Sequence, residues 1–101
     1  MSLDMQAREK VGMRAGVFLR DNRFNLVTRL LGCGSDVARS RLLDMDPKTI
    51  YRARRGVIGE EFIARLLDVM QQNADKLAEA GIGTGFEEVF EVRANAKQVA
   101  A

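Results

Sequence analysis

Lys48, Tyr51, Arg52 and Arg55 fall at i, i+3, i+4 and i+7 of the stretch "LLDMDPKTIYRARRG". On a helix that spacing puts three cations and a phenol on one face, while Ile50 and Ala53 turn to the opposite side. Arginine can grip guanine O6 and N7 with two hydrogen bonds, and lysine can reach the same acceptors or a phosphate. A tyrosine beside them can touch a thymine methyl or hydrogen-bond a phosphate. The chemistry on offer is recognition of a polyanion, with the major groove of DNA as the surface that such a face fits.

The helix carrying these residues has a marked beginning. Asp46 is a preferred N-cap, and Pro47, the chain's only proline, belongs at the first helical position, where a missing N–H costs nothing. The helix is expected from Pro47 to about Arg55, ended by Gly56. A shorter helix precedes it over "DVARSRLLD", capped by Ser35 or Asp36. Its inward side is expected to hold Val37, Ser40 and Leu43, with Arg39 and Arg41 outside. Two short helices separated by about three residues are the signature of a helix-turn-helix.

The flanking elements are those that could hold such a unit in place. Val17, Phe18 and Leu19 form a β-competent run. Phe24, Val27 and Leu30/Leu31 make the apolar stripe of a helix that ends at the glycines of "GCGS". After Gly59, the acids Glu60 and Glu61 open a core helix carrying Phe62, Ile63, Leu66, Leu67 and Met70. Residues 73–80 extend that helix or form a separate one, and "GIGTG" is a loop. The pattern "FEEVFEV" reads as a strand whose only matching partner is "GVFLR", so a ribbon pairing 17–20 with 89–92 is expected.

Composition narrows the function. The 101 residues are 47% hydrophobic and 30% charged, with one cysteine and no histidine. That length suits one small domain. The usual zinc sites and catalytic triads are excluded without histidine. Cys33 has no cysteine partner and reads as a loop residue. "GCG" and "GIGTG" lack the lysine of a phosphate loop. No enzyme, cofactor or metal is expected. No apolar run approaches the ~18 residues of a membrane span, and "MSLDMQAREK" lacks an apolar signal core, so a cytoplasmic protein is expected. Residues 1–59 hold 12 Lys/Arg against 6 Asp/Glu, whereas residues 60–101 hold 4 against 8. Such asymmetry suggests a polyanion-facing half and a solvated half.

Residues 36–55, "DVARSRLLDMDPKTIYRARR", resemble the helix-turn-helix unit of lambda-repressor/Cro-like regulators. The match rests on Ser40 in the first helix, Leu43 before the turn, Met45 after it, and Ile50 and Ala53 in the second helix. "GVIGEEFIARLLDVM" and "FEEVFEV" are similar to segments of small repressor-like proteins common in actinobacteria, their phages and plasmids. Asp44 stands where glycine is usual, and aspartate tolerates the left-handed conformation better than most residues. Arg39 stands where leucine is common, leaving Val37 to pack.

The resemblance implies a mainly α fold of four to five helices over residues 13–93, with the two-stranded ribbon joining its ends. Residues 1–12 would be an arm or short helix and 94–101 a tail. It also implies base-reading by Asp46, Pro47, Lys48, Tyr51, Arg52 and Arg55, with Asp46 chiefly an N-cap and Arg55 equally suited to clamp a phosphate. Ser35, Arg39, Arg41 and Arg54 would serve phosphates, Arg54 from the side of the helix. The implied protein is a sequence-specific regulator of double-stranded DNA, of repressor type, acting by occupancy. A protein-interaction module of host-binding or antitoxin type and a DNA-bending recombination factor are the alternatives. The expected partners are double-stranded DNA, a second copy on DNA, or another protein. In free solution a monomer or weak dimer is expected.

Overall fold

The computed structural model describes residues 15–94; the arm 1–12 and residues 95–101 of the tail lie outside them. The chain order is β1 (Ala15–Leu19), α1 (Asp21–Leu30), α2 (Asp36–Leu43), α3 (Pro47–Ala53), α4 (Glu60–Gln72), α5 (Ala74–Glu79), α6 (Phe86–Val89) and β2 (Phe90–Ala94). The fold is mainly helical with one two-stranded antiparallel sheet.

Three helices end by one device. After α1, Gly32 takes the left-handed conformation (φ 83°), its N–H donates to Arg29 O, and Cys33 N–H donates back to Thr28 O. After α5, Gly81 (φ 77°) and Ile82 repeat the pattern on Ala78 and Leu77. Each pair of bonds satisfies carbonyls that a helix end leaves open. After α2 the same motif is built on Asp44, at φ 55°, with Met45 N–H donating to Ser40 O. The aspartate therefore occupies the left-handed position expected of it. Arg65 of α4 reinforces this end, donating to the carbonyls of Leu43 and Asp44. A cation at a helix C-terminus also meets the negative end of the helix dipole.

The starts were readable too. The Ser35 side chain accepts from Ala38 N at 3.1 Å, and Asp46 accepts from Lys48 N at 2.8 Å, with Pro47 at the head of α3. α4 and α5 are separate helices meeting at Asn73, whose side chain donates to Val69 O.

The core draws on almost every element. Phe24 and Val27 of α1, Leu43 of α2, Ile50 and Ala53 of α3, Phe62, Leu66 and Met70 of α4, Leu77, Val89 and Phe90 are all buried. Phe62 sits between two rings, 5.9 Å from Phe24 and 6.5 Å from Phe90, in tilted and edge-on arrangements that aromatic pairs favour. The ribbon forms as expected in kind, with Val17 opposite Val92 and Leu19 opposite Phe90. It differs in extent. Residues 86–89 form a helical turn rather than strand, because Phe86, Val89 and Phe90 stand at i, i+3 and i+4, and Phe86 stacks on Phe90 at 5.0 Å. With this turn and the division of α4 from α5, the described residues hold six helices where four to five were expected.

Ile50 is fully buried beneath α3. Ile50→Ala is expected to destabilise the protein by about 2–5 kcal/mol in chemical denaturation, the usual loss for emptying a packed aliphatic site. A loss under about half a kcal/mol would show that α3 is not held by its apolar face.

Candidate nucleic-acid interface

α3 exposes Lys48, Tyr51 and Arg52 as its spacing predicts, but the helix ends at Ala53 rather than at about Arg55, so Arg55 stands in the turn that follows it. Lys48, Tyr51, Arg52 and Arg55 are exposed, whereas Ile50 and Ala53 on the other side are buried. Tyr51 is 54% exposed. The Arg55 guanidinium lies 3.7 Å from the centre of the Tyr51 ring and donates to Tyr51 O at 3.1 Å. Cation–π contact thus holds Arg55 against the helix while its remaining N–H groups face outward. Lys48, Arg52 and Arg55 form no ion pair among the described residues, and neither does Arg41, which is exposed on α2.

Arg54 behaves differently and corrects one expectation. Rather than reaching sideways to a phosphate, it is bound inside the protein. Its Nε and second terminal nitrogen donate to the two oxygens of Asp21 at 2.7 and 3.2 Å, and the other terminal nitrogen donates to Asp36 Oδ1 at 2.8 Å. This fork ties α3 to the first residues of both α1 and α2. Arginine suits the task because its rigid planar donors match two carboxylates at once.

Arg39 is the second correction. It was expected on the outer side of α2, but it is only 5% exposed. Its Nε donates to Thr28 Oγ1 and its terminal nitrogen to Asp36 Oδ1, both at 2.9 Å, while the guanidinium sits 5.6 Å from the Phe24 ring centre. Val37, expected to pack, is 51% exposed. The helix is therefore rotated so that Arg39, Ser40 and Leu43 face inward. Arg39 fills the leucine-like position with its aliphatic stem and satisfies its charged head through Asp36 and Thr28.

Asp36 is the hub of this network. Burial pushes its carboxyl pKa up, but hydrogen bonds from Arg39 and Arg54, with their positive charges, outweigh burial and hold it below the ordinary value of 3.8. For Arg54, the hydrogen bond to Asp21 raises the guanidinium pKa; burial opposes this, and Asp36 adds to the rise. The same carboxylates stand in the first turns of α1 and α2, where helix dipoles also favour anions.

Ser35 caps α2 and is exposed, as is Arg41; Asp46 is engaged as the cap of α3, and Pro47 is exposed beside it. The sequence therefore identified the exposed face of α3 but missed the internal clamp. One signal was available. Arg39 lies three residues after Asp36 and four before Leu43, inside the inward stripe rather than outside it.

No carboxylate, cysteine or histidine cluster able to hold a metal ion occurs among the described residues. No helix among them is long and apolar enough to cross a membrane. In comparisons with known proteins, the chain matches no family model, no curated protein and no solved structure.

Because the native-state pKa of Asp36 is lowered, its contribution to stability is present above pH 3.8 and is lost as pH falls through the lowered native value. Asp36→Asn is expected to be less stable than the wild type at neutral pH, with the difference shrinking below about pH 4. Arg54→Ala is expected to cost about 1–3 kcal/mol, less than a fully buried pair because the network is partly open to water. Denaturant titrations of both variants across a pH series check these expectations. A constant gap for Asp36→Asn at every pH would rule out an ionised hub.

Proposed function

We propose that this chain is a sequence-specific double-stranded-DNA-binding regulator with a lambda-repressor/Cro-like helix-turn-helix, in which α3 enters the major groove. The observation that carries the reading is the division of labour among the cations around α3. Arg39 and Arg54 are consumed by Asp21 and Asp36, while Lys48, Arg52 and Arg55 remain on one exposed face with Tyr51. A fold that needed cations only for its own cohesion would gain little from this second set. Exposed like charges four residues apart destabilise a helix slightly, so Lys48 and Arg52 side by side suit an external anion better than an isolated α3.

The roles follow from position along α3. Lys48 and Arg52 lie one turn apart near the start and centre of the face, where side chains meet base edges. Tyr51 offers its ring to a thymine methyl or its hydroxyl to a phosphate. Arg55, one turn beyond Tyr51, is placed to grip the backbone as the helix leaves the groove. Ser35, Arg41 and the exposed amides at the start of α2 supply phosphate contacts that fix the register without reading sequence. Asp46 and Pro47 set where α3 begins, and Pro47 contributes van der Waals contact only. Regulation is by occupancy: the bound domain excludes polymerase or another protein from its site. The reading is of a binding protein, with no catalytic step.

Arg52→Ala is expected to lose about 1–3 kcal/mol on the preferred site while leaving affinity for a scrambled duplex nearly unchanged. Arg55→Ala is expected to weaken both duplexes alike and to reduce the salt slope by about one unit. Binding of each variant to both duplexes across a salt series measures the difference. Should neither substitution alter DNA binding in a folded protein, α3 is not the recognition helix.

A further inference from the structure

Arg55 is not oriented by the helix that precedes it. α3 ends at Ala53, and Arg55 stands in the turn that follows. A long side chain on a turn ordinarily keeps much of its rotamer freedom, which must be given up when a partner is bound. Here two contacts already fix its head. The guanidinium carbon lies 3.7 Å from the centre of the Tyr51 ring, well within cation–π range. One terminal nitrogen donates to Tyr51 O at 3.1 Å.

The second contact follows from the way α3 ends. Arg54 N–H donates to Ile50 O at 3.1 Å, and Arg55 N–H donates to Arg52 O at 3.0 Å. The backbone thereby passes over Tyr51 O, one of the carbonyls that a helix end leaves open. The Arg55 side chain takes it, and its charge meets the negative end of the helix dipole. Ring and carbonyl belong to one residue, so Tyr51 supplies both halves of the seat. A guanidinium has five N–H donors, and this bond spends one of them. No carboxylate among the described residues pairs with Arg55 to take the rest.

We infer that Tyr51 is a positioning residue of the DNA interface, resting on the reading of Arg55 as a phosphate clamp: it holds the Arg55 guanidinium ready for the backbone. This narrows the role of Tyr51. The ring face that carries a guanidinium is closed to a thymine methyl, so Tyr51 contributes grip on any duplex instead of a choice of bases. The seat is built in the free protein, so Arg55 is ordered before DNA arrives, and affinity rises without an additional contact. The phenol hydroxyl takes part in neither contact, so phenylalanine should serve as well as tyrosine.

A double-mutant cycle on the full chain tests the proposal. Binding to a duplex selected from a randomised library and to a scrambled duplex is measured across a salt series. The proteins are the wild type, Tyr51→Phe, Tyr51→Leu, Arg55→Ala and the variant carrying both Tyr51→Leu and Arg55→Ala. Tyr51→Phe is expected to bind as the wild type does. Tyr51→Leu is expected to bind both duplexes about two- to fivefold more weakly, the worth of an exposed cation–π contact. Its salt slope should be unchanged, because the phosphate contact is still made once DNA is bound. With Arg55→Ala already present, Tyr51→Leu is expected to add nothing, a coupling that general damage to the fold would not produce. In the free protein, proton NMR should show the Arg55 methylene signals shifted upfield by the ring in the wild type and Tyr51→Phe, and unshifted in Tyr51→Leu. Circular dichroism melts establish that each variant is folded, and Tyr51→Gln, also a good helix former, replaces Tyr51→Leu if that variant is not.

Equal losses from Tyr51→Leu with and without Arg55 would overturn the proposal. So would a loss for Tyr51→Phe, which would put the hydroxyl on DNA, or a loss confined to the selected duplex, which would make Tyr51 a base reader. Unshifted Arg55 signals in the free wild type would overturn it as well. An Arg55→Ala variant that binds every duplex like the wild type removes the phosphate clamp itself, and this proposal with it. Failure of the Tyr51 variants alone leaves that clamp standing.

Discussion

One carboxylate organises the part of the molecule that faces outward. Asp36 Oδ1 accepts from Arg39 at 2.9 Å and from Arg54 at 2.8 Å, and Arg54 also forks onto Asp21. Through these bonds the first turns of α1 and α2 and the last turn of α3 are locked together. The apolar contacts of Ile50 and Leu43 could hold α3 near α2 in several rotations, because hydrophobic packing is not directional. The guanidinium fork is directional, since five N–H donors in a plane accept few arrangements of carboxylates. With Arg54 drawn inward, Lys48, Tyr51 and Arg52 are left on the exposed side of α3, and Arg55 is exposed in the turn after it. The clamp ties three helices together and at the same time decides which cations remain exposed.

The turn between α2 and α3 shows a similar economy. Asp44 adopts a left-handed conformation that costs a non-glycine residue about 1 kcal/mol or more. Arg65 of the core helix lies against this turn, bonding the carbonyls of Leu43 and Asp44 and standing 3.6 Å from the Asp44 carboxylate. A glycine would adopt the conformation more easily but would offer Arg65 no charge. The angle between the two helices is thus supported from below by the same helix that supplies Phe62, Leu66 and Met70 to the core.

Much of this was legible in the sequence, and the failures have physical causes. Caps and breaks were clear because Ser35, Asp46, Pro47, Gly59 and the glycines of "GCGS" act locally, through their own backbone or the next turn. The ribbon was legible because short apolar runs near each end of the chain had no other partner. Its inner boundary was not, since Phe86, Val89 and Phe90 satisfy both an alternating pattern with the glutamates and a helical one. Arg39 lies inward although a charge ordinarily implies exposure, because its long side chain finds a carboxylate and a hydroxyl to satisfy it inside. The Arg54 clamp spans 33 residues to Asp21 and 18 to Asp36, separations at which no local pattern registers. The exposed face of Lys48, Tyr51 and Arg52 follows from the period of the helix itself, whereas the end of α3 at Ala53, short of Arg55, does not.

A basic helix face can bind any polyanion, whereas one aimed into the major groove must discriminate among base pairs. Selection of bound duplexes from a randomised library decides between these most directly. The structure with Lys48 and Arg52 exposed at the centre of α3 predicts enrichment of a short motif with fixed guanines. Uniform recovery of all sequences, with retention set by salt alone, would contradict base reading by this helix.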